Sequence, residues 1–562
     1  MDEHDMEDGL AAAEREALPP LASEEEKIAY CAGLDQNDTG NAQRLIVHFG
    51  EDILVVREQG FHQWAGTHWE MTGGEERMAI FAQKTAKLIE EEVAHIKMTP
   101  KEMAAIEAAR GAVVSDGMSD EEKKAVEGLL ADAAIAQKAF QNRKNNRRKY
   151  ALSSGNNGKL VGMVKQATPH ITIGPDQMDA DPMVFNCLNG TLILSRRKDQ
   201  DEGMVLETRL VPHDRSMHIA KCAPVAFDPS APCPKWLELL ARFQPDEERR
   251  TFLQVFAGYS LTGLTDEQKL VFNYGAGANA KSTFIEAISR LMGPYAGQLN
   301  PESVTGQGHR RGDQATPDLA TLGGKRLVRV SELPKGQAVK EDLIKGLTGG
   351  EPIMVRHLNK GFFDMVPIFK GWMSGNDMPY ITGTDWGIWR RLLIVPWEVT
   401  ISDKERRPMA EILAELDAER SGILNWLLEG LAIWVNEGLR VPESVSSLTQ
   451  NYKSEMDPIQ NFIDACIERV PPPEEPEDGG PMPDVAEVTG AAMYKAYETW
   501  CRASGVKIFS STMFGRELPK KGIEKVNGRI RKYINVRIRM PEEITYEDEF
   551  PTARSHDHSN DH

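Results

Sequence analysis

The residues best equipped for chemistry stand in one run, Gly275-Ala276-Gly277-Ala278-Asn279-Ala280-Lys281-Ser282-Thr283. Glycines at this spacing let backbone N–H groups wrap a phosphate, and a following helix N-terminus adds a favourable dipole. A lysine then reaches the β- and γ-phosphates of ATP, and the adjacent serine holds Mg²⁺. These roles fall on Lys281 and Ser282. The pattern G-x-x-x-x-G-K-[ST] has glycine where this chain has Ala280. Position 280 is read as the entry to a helix, right-handed, where alanine costs little strain.

Three signals follow downstream. Glu332 ends the apolar run Arg326–Val330 after Ser331. An acid at a strand end beside a phosphate loop polarises the attacking water or holds the metal through its shell. Many ATPases carry two acids there, so Glu332 is expected to serve both metal and water. Asn376 follows the strand-like stretch Ile368–Ser374 and can sense a γ-phosphate and orient water. Arg390 and Arg391 suit an arginine finger supplied in trans to a neighbour's ATP. Each signal alone has a plain reading: a solvated acid, a turn asparagine, a surface ion pair. Their value lies in their combination with the phosphate loop.

The elements that would position these residues are legible as an α/β block of short apolar strands from about Leu270 to Trp397. Leu270–Tyr274 is predicted as a strand entering the loop, and Phe284–Leu291 as the helix leaving it. Upstream, Met78 to about Ala139 reads as two or three helices, and Asn189-Gly190 as the turn of a small hairpin. Trp236–Leu261 reads as helical, split by Pro245. Ile412–Val435 is an amphipathic helical stretch. The acidic, proline-rich run Pro471–Gly480 is a linker and a domain boundary. Beyond it come a helix at Met493–Ser504, with Tyr494, Tyr497 and Trp500 in core register, a second helix at Ser510–Leu518, and a strand pair around Asn527-Gly528.

The expected organisation is an acidic tail (1–37), a mostly helical N-terminal region with small β elements (38–262) and the P-loop core (263–400). A helical subdomain (401–470), a linker (471–484), a C-terminal module (485–545) and a tail (546–562) follow. The tail histidines His556, His558 and His562 are read as part of a disordered end rather than a metal site.

A net charge of −19 over 562 residues would argue against nucleic acid if it were evenly spread, but its distribution removes that veto. Residues 1–100 hold 21 acids and 8 bases. Lys269–Trp397 holds 16 bases and 11 acids, and Arg516–Arg539 nine bases and two acids. Local basic surface is what neutralises phosphates. The six cysteines are scattered and form no CxxC pair, which argues against zinc or a disulfide framework. The acidic N-terminus has the wrong sign for a secretory signal, and no apolar run is long enough for a membrane span. A cytoplasmic protein without a membrane partner is expected.

Taken together, the motifs resemble those of superfamily 3 helicases, specifically the helicase half of phage, plasmid and poxvirus primase-helicases. Family members read roughly G-x-G-x-N-G-K-S-T, K-R-L-hydrophobic-S-E, I-K-x-L-T-G-G, N-x-x-P and W-R-R. Here these stand, in order, at Gly275–Thr283, Lys325–Glu332, Ile344–Gly350, Asn376–Pro379 and Trp389–Arg391. Asp38–Leu45, Trp64–Trp69, Asn189-Gly190 and Gly258–Gly263 look similar to the family's region before the helicase.

The resemblance implies an AAA+-like P-loop core, an α-rich N-terminal region and a C-terminal winged helix. It implies an ATP- and Mg²⁺-dependent replicative DNA helicase of phage or plasmid type. The protein would form a homo-oligomeric ring, a hexamer, with single-stranded DNA in its channel. Lys345, Arg356 and Lys360 would face that channel. Lys520, Lys521, Arg529 and Arg531, with Arg516 and Lys525, would contact phosphates from the winged helix. Only about 37 residues precede the recognisable region, so priming activity is not expected of this chain, which leaves room for a separate primase as partner. Two other readings stay open: a DNA-binding or origin-loading protein with a decayed P-loop, favoured by Ala280 and Ser331, and a P-loop motor acting on another substrate.

Overall fold

Ser23 accepts a hydrogen bond from the Glu26 N–H while the Glu26 carboxylate accepts from the Ser23 N–H, and this reciprocal cap starts helix α1 (Glu24–Cys31). The structure is a computed structural model. It describes residues 21–540 apart from 72, 200–202, 307–315, 336, 357–360, 382–385, 403, 474–483 and 507. Residues 24–31, expected in an acidic tail, are thus helical, and Cys31 is fully buried. The sequence reading weighed only the acids. The apolar spacing of Ile28 and Cys31 gives the helix a face to bury.

The N-terminal block continues with α2 (Asp38–Phe49) and strands β1 (Ile53–Val56), β2 (Gly60–Trp64) and β3 (Trp69–Glu70). Helices α3 (Gly74–Glu91), α4 (Pro100–Ala108), α5 (Asp120–Ser154) and α6 (Asn157–Ala167) follow, then β4 (Thr172–Ile173). The four strands form one sheet in the order β3-β2-β1-β4. A buried ionic cluster ties the helices together: Arg44 of α2 and Arg147 of α5 both pair with the carboxylate of Glu92. Pairing on both sides is what lets that carboxylate be buried.

An antiparallel meander follows, β5 (Val184–Cys187), β6 (Gly190–Asp199) and β7 (Gly203–Val211). Cys187 pairs with Gly190, so the tight turn is Leu188-Asn189, one residue before the predicted one. The long β6–β7 ribbon escaped the sequence reading because its outer half, Ser195–Lys198, is polar on both faces. Helices α7 (Pro234–Phe243) and α8 (Glu247–Tyr259) break at Pro245 as predicted.

The central sheet is wholly parallel, in the order β14-β8-β13-β10-β9. Its strands are β8 (Leu270–Tyr274), β9 (Ala296–Gln298), β10 (Leu327–Ser331), β13 (Lys370–Gly375) and β14 (Leu392–Pro396). Helix α9 (Lys281–Met292) leaves the phosphate loop, and α10 (Glu341–Gly349) precedes a two-stranded hairpin of β11 (Ile353–Val355) and β12 (Phe363–Met365). Side chains alternate across the sheet. Val271, Trp372, Leu393 and Val395 pack in one cluster with Phe284 of α9, and Leu270, Phe272, Met373 and Ile394 in another with Ile344 of α10. Burial on both faces explains why these strands read as continuous apolar runs.

The predicted helix at Ile412–Val435 is two, α11 (Met409–Asp417) and α12 (Arg420–Glu437). Helix α12 lies so close to α8 that a Cβ on Gly258 would sit 2.2 Å from the Leu427 carbonyl oxygen. After α13 (Glu443–Glu455), the C-terminal module contains α14 (Pro458–Cys466), β15 (Ile467–Arg469), β16 (Glu487–Thr489), α15 (Gly490–Ala503) and α16 (Ser511–Lys520). Its last strands are β17 (Lys525–Val526), β18 (Lys532–Ile534) and β19 (Val536–Ile538).

Here the structure corrects the predicted boundary at 471–484. Strand β15, before that segment, pairs antiparallel with β19, and Phe462 of α14 packs with Tyr497, Trp500 and Phe514. The proline-rich run is therefore a connection inside one folded unit that begins near Pro458. The predicted final hairpin is also interrupted, because Asn535 at φ 59° divides β18 from β19. All six cysteines are free thiols. Among the described residues no helix is long and apolar enough to cross a membrane. The 546–562 tail lies outside the described residues.

Candidate nucleotide-binding site

Strand β8 delivers the chain to the phosphate loop at the C-terminal edge of the sheet, where Tyr274, Ser331, Gly375 and Pro396 end four adjacent strands. Gly275 sits where no side chain fits: a Cβ there would lie 2.3 Å from the Trp397 carbonyl oxygen. The loop is clasped to the segment after β14. Asn279 Nδ2 donates to the Trp397 carbonyl at 3.0 Å, and the Ile401 N–H to the Ala278 carbonyl at 2.6 Å. Trp397 Nε1 in turn donates to Asn273 Oδ1 of β8 at 2.8 Å.

Position 280 differs from expectation. Ala280 is left-handed at φ 62°, as is Ala278 at φ 47°, and both lie in the region where a Cβ meets its own carbonyl. The loop's curvature continues one residue further toward the helix than the sequence suggests, and glycine at 280 would remove that clash. Glu332 is also left-handed at φ 58°, its N–H donating to the Ser374 carbonyl at 2.9 Å. Three of the eight described non-glycine residues with positive φ therefore crowd one site, a pattern typical of functional constraint.

Helix α9 begins without a side-chain cap. Its first N–H groups are thus available for an anion, and Ser282 is exposed beside them. Lys281, only 4% exposed, donates to the Gly275 carbonyl at 2.7 Å, Asn279 Oδ1 at 3.0 Å and Asn376 Oδ1 at 3.2 Å. An ammonium has three donors, and each meets an uncharged oxygen. Burial pushes the lysine pKa down to about 8, against the pull of the Glu332 carboxylate. The fold thus brings Lys281, Glu332 and Asn376 together, although they are spread over three strands' ends. The residues fit a triphosphate, with a cation held by oxygens that phosphate oxygens can replace. They also fit a hard divalent ion, which needs few protein ligands when phosphates supply the rest.

Arg390 and Arg391 lie elsewhere. Leu392 pairs with Leu270, so both arginines precede β14 at the opposite, N-terminal edge of the sheet, about 16 Å away over a five-residue strand. They cannot serve their own loop. Arg390 is exposed while Arg391 is buried, its Nη1 donating to the Gly387 carbonyl at 2.7 Å. Both guanidinium groups donate to Gln268 Oε1, at 3.1 and 3.4 Å, and Lys269 Nζ donates to the Arg390 carbonyl at 2.5 Å. Gln268 is itself left-handed at φ 51°. Sequence reasoning missed Gln268, and missed the bracing roles of Asn279, Asn273 and Trp397. Only the match of Asn279 to the family's loop asparagine carried any signal.

The expected DNA contacts are unevenly placed. Lys345 lies on α10 with Asp342 3.9 Å away, and the Arg356 guanidinium stacks 4.7 Å from the Phe362 ring. Lys360 falls outside the described residues. In the C-terminal module Arg529 and Arg531 are exposed, and Lys520 pairs with Glu517 at 2.7 Å. Lys521 is instead largely buried in an ion pair with Asp457, joining α16 to the start of α14. Nor are all the bases counted between Lys269 and Trp397 at the surface. Arg326 and Lys370 are each 2% exposed and donate to the Leu261 and Thr262 carbonyls at 2.6 Å, anchoring the Gly258–Gly263 motif.

Comparison with known proteins bears on this arrangement. Residues 42–245 match the D5 N terminal like family, and residues 454–558 the Poxvirus D5 protein-like family. The phosphate loop lies between the two ranges, and the second begins close to the start of α14. The chain is 27% identical over 246 residues to a protein named as a candidate helicase from Acanthamoeba polyphaga mimivirus, covering 41% of this chain and 26% of that one. It is 26% identical over 266 residues to another so named from Frog virus 3, covering 44% and 27%. The chain thus spans about a quarter of the length of these curated relatives. Among solved structures, the C-terminal region of NrS-1 aligns over 60% of this chain and 82% of its own, at 12% identity and a TM-score of 0.36. The chain is thus similar to D5-like proteins on both sides of the phosphate loop, and over part of its length to proteins of large DNA viruses that are named as helicases.

Proposed function

We propose that the chain is the motor part of an ATP-dependent DNA helicase that works as a homo-oligomeric ring. The observation that carries this reading is the pairing of two sheet edges: Lys281, Glu332 and Asn376 converge on one, and exposed Arg390 stands on the other. A site split in this way is completed only when a second copy brings its arginine edge to the first copy's phosphate loop. That suits an AAA+-like ring, a hexamer in the family.

Lys281, with the N–H groups opening α9, holds the β- and γ-phosphates of ATP. Ser282 and Glu332 hold Mg²⁺, which neutralises charge on the transferring phosphoryl group when bound. Glu332 accepts the proton of the attacking water, and Asn376 orients that water and reports the γ-phosphate to β13. The neighbour's Arg390, braced by Gln268, stabilises charge developing at the transition state. Lys345 of α10 and Arg356 next to β11, with Lys360 as a further contact, follow a single strand of DNA in the channel. The C-terminal module serves as a winged-helix-like DNA contact through Arg529 and Arg531.

A second reading, a decayed loop that binds DNA without turnover, is favoured by the strained Ala280 and by the oxygens already holding Lys281. Unwinding of a forked duplex separates the two. ATP-dependent strand displacement that is lost in Lys281→Ala supports the motor. Tight DNA binding with no displacement by the wild type overturns it.

A further inference from the structure

One basic run remains outside the site described above. Between Asp132 and Asp176 the chain carries eight Lys and Arg residues and no Asp or Glu, in a protein of net charge −19. Most of them lie on the second half of α5, which sorts them by face. At about 100° per residue, Arg143, Arg147, Ala151 and Ser154 share one side. Ala151 and Ser154 are buried there, Arg147 pairs with Glu92, and Arg143 with Glu102.

The opposite side holds Lys138, Asn142, Asn145 and Lys149, spaced i, i+4, i+7 and i+11 and all exposed. Arg148 flanks them and donates to Asn145 Oδ1 at 3.1 Å. Among the described residues no carboxylate pairs with Lys138, Arg148 or Lys149. An exposed helix face usually mixes both signs of charge, and this one carries cations and carboxamides alone. From Lys138 to Lys149 it extends about 16 Å, enough to meet several successive phosphates.

We propose that this face of α5 binds the phosphate backbone of DNA. Lys138, Arg148 and Lys149 supply the charge, and the Asn142 and Asn145 carboxamides donate to phosphate oxygens between them. No aromatic side chain lies in the row, so contact is indifferent to sequence. The proposal rests on the reading that the chain works on DNA.

The test is DNA binding by the full chain across a salt series, with single-stranded and duplex oligonucleotides of unrelated sequences. It compares wild type with the combined Lys138→Ala, Arg148→Ala, Lys149→Ala variant. The variant is expected to bind at least about tenfold more weakly at moderate salt, with a log–log salt slope shallower by about three. Its DNA-independent ATP turnover is expected to equal the wild type's, and a Lys138→Arg, Lys149→Arg variant, which keeps all three charges, to retain the wild-type slope. Whichever DNA form shows the larger change in slope is the form this face holds.

An unchanged slope on both forms, with DNA-stimulated turnover intact, overturns the proposal and leaves the motor reading standing. If neither protein binds DNA at all, both fall. If the variant loses binding to polyglutamate but keeps DNA binding, the face belongs to an acidic protein segment and the proposal is wrong.

Discussion

Lys281 Nζ lies 3.2 Å from Asn376 Oδ1, which joins the lysine of the phosphate loop to the residue following β13 across 95 positions of sequence. The contact makes Asn376 more than a turn residue, because its carboxamide oxygen holds the ammonium to which the proposed mechanism assigns the γ-phosphate. Asn376→Ala is expected to lower kcat by about 10²-fold, the scale of losing one oriented polar group at a reacting centre, while the ATP Kd changes by less than about threefold. Single-turnover kinetics with nucleotide titration measure both. A large loss of affinity with kcat intact would mean that the residue only shapes the pocket.

The strain at Ala280 predicts a gain from glycine. A left-handed alanine costs on the order of 1 kcal/mol, part of which glycine's greater freedom in the unfolded chain offsets. Ala280→Gly should therefore raise the unfolding free energy by up to about 1 kcal/mol and leave ATP affinity equal or tighter. Thermal denaturation with and without nucleotide measures this. Destabilisation by a similar amount would show that position 280 is right-handed after all.

The pKa of Lys281, lowered by burial from 10.5 to about 8, has consequences of definite sign. The folded state disfavours the ammonium, so its penalty on stability is full below about pH 8 and fades as pH rises toward 10.5. Bound phosphate favours the charged form. ATP affinity is therefore expected to fall above pH 8 by up to about tenfold per pH unit, with uptake of a proton. Calorimetry in buffers of different ionisation enthalpy detects that uptake. Its absence between pH 8 and 9, or its persistence in Lys281→Ala, would refute the assignment.

The two arginines should separate by phenotype. Arg390→Ala, at an exposed position, is expected to cost roughly 10³-fold or more in turnover with little change in melting temperature. Arg391→Ala removes a buried guanidinium and its bond to the Gly387 carbonyl, so it should destabilise by about 1–3 kcal/mol. Gln268→Ala, which removes an acceptor shared by the two guanidinium groups, should lower turnover less than Arg390→Ala does. Losses below about tenfold at both arginines would remove the finger from the mechanism.

These contrasts mark what the sequence could and could not reveal. The strand, loop and helix around Lys281 were legible because local periodicity and glycine spacing dictate them, and the observed bounds differ from the prediction by only a few residues. Glu332 and Asn376 were legible as strand-end polar residues in a recognisable order. The backbone sign at Ala280 was not, since nothing in the residue type forces it. Pairing of β15 with β19 across the proline-rich connection was hidden because it is set by long-range packing. Counting charges also misled: Arg326, Lys370 and Lys521 spend their charge on buried carbonyls or a carboxylate, while the face of α5 went unread.

ATP turnover with and without single-stranded DNA, for wild type and Lys281→Ala, tests the central claim most directly. The predicted result is turnover that DNA stimulates and that Lys281→Ala abolishes. Turnover indifferent to DNA, or none in the wild type, would contradict the claim.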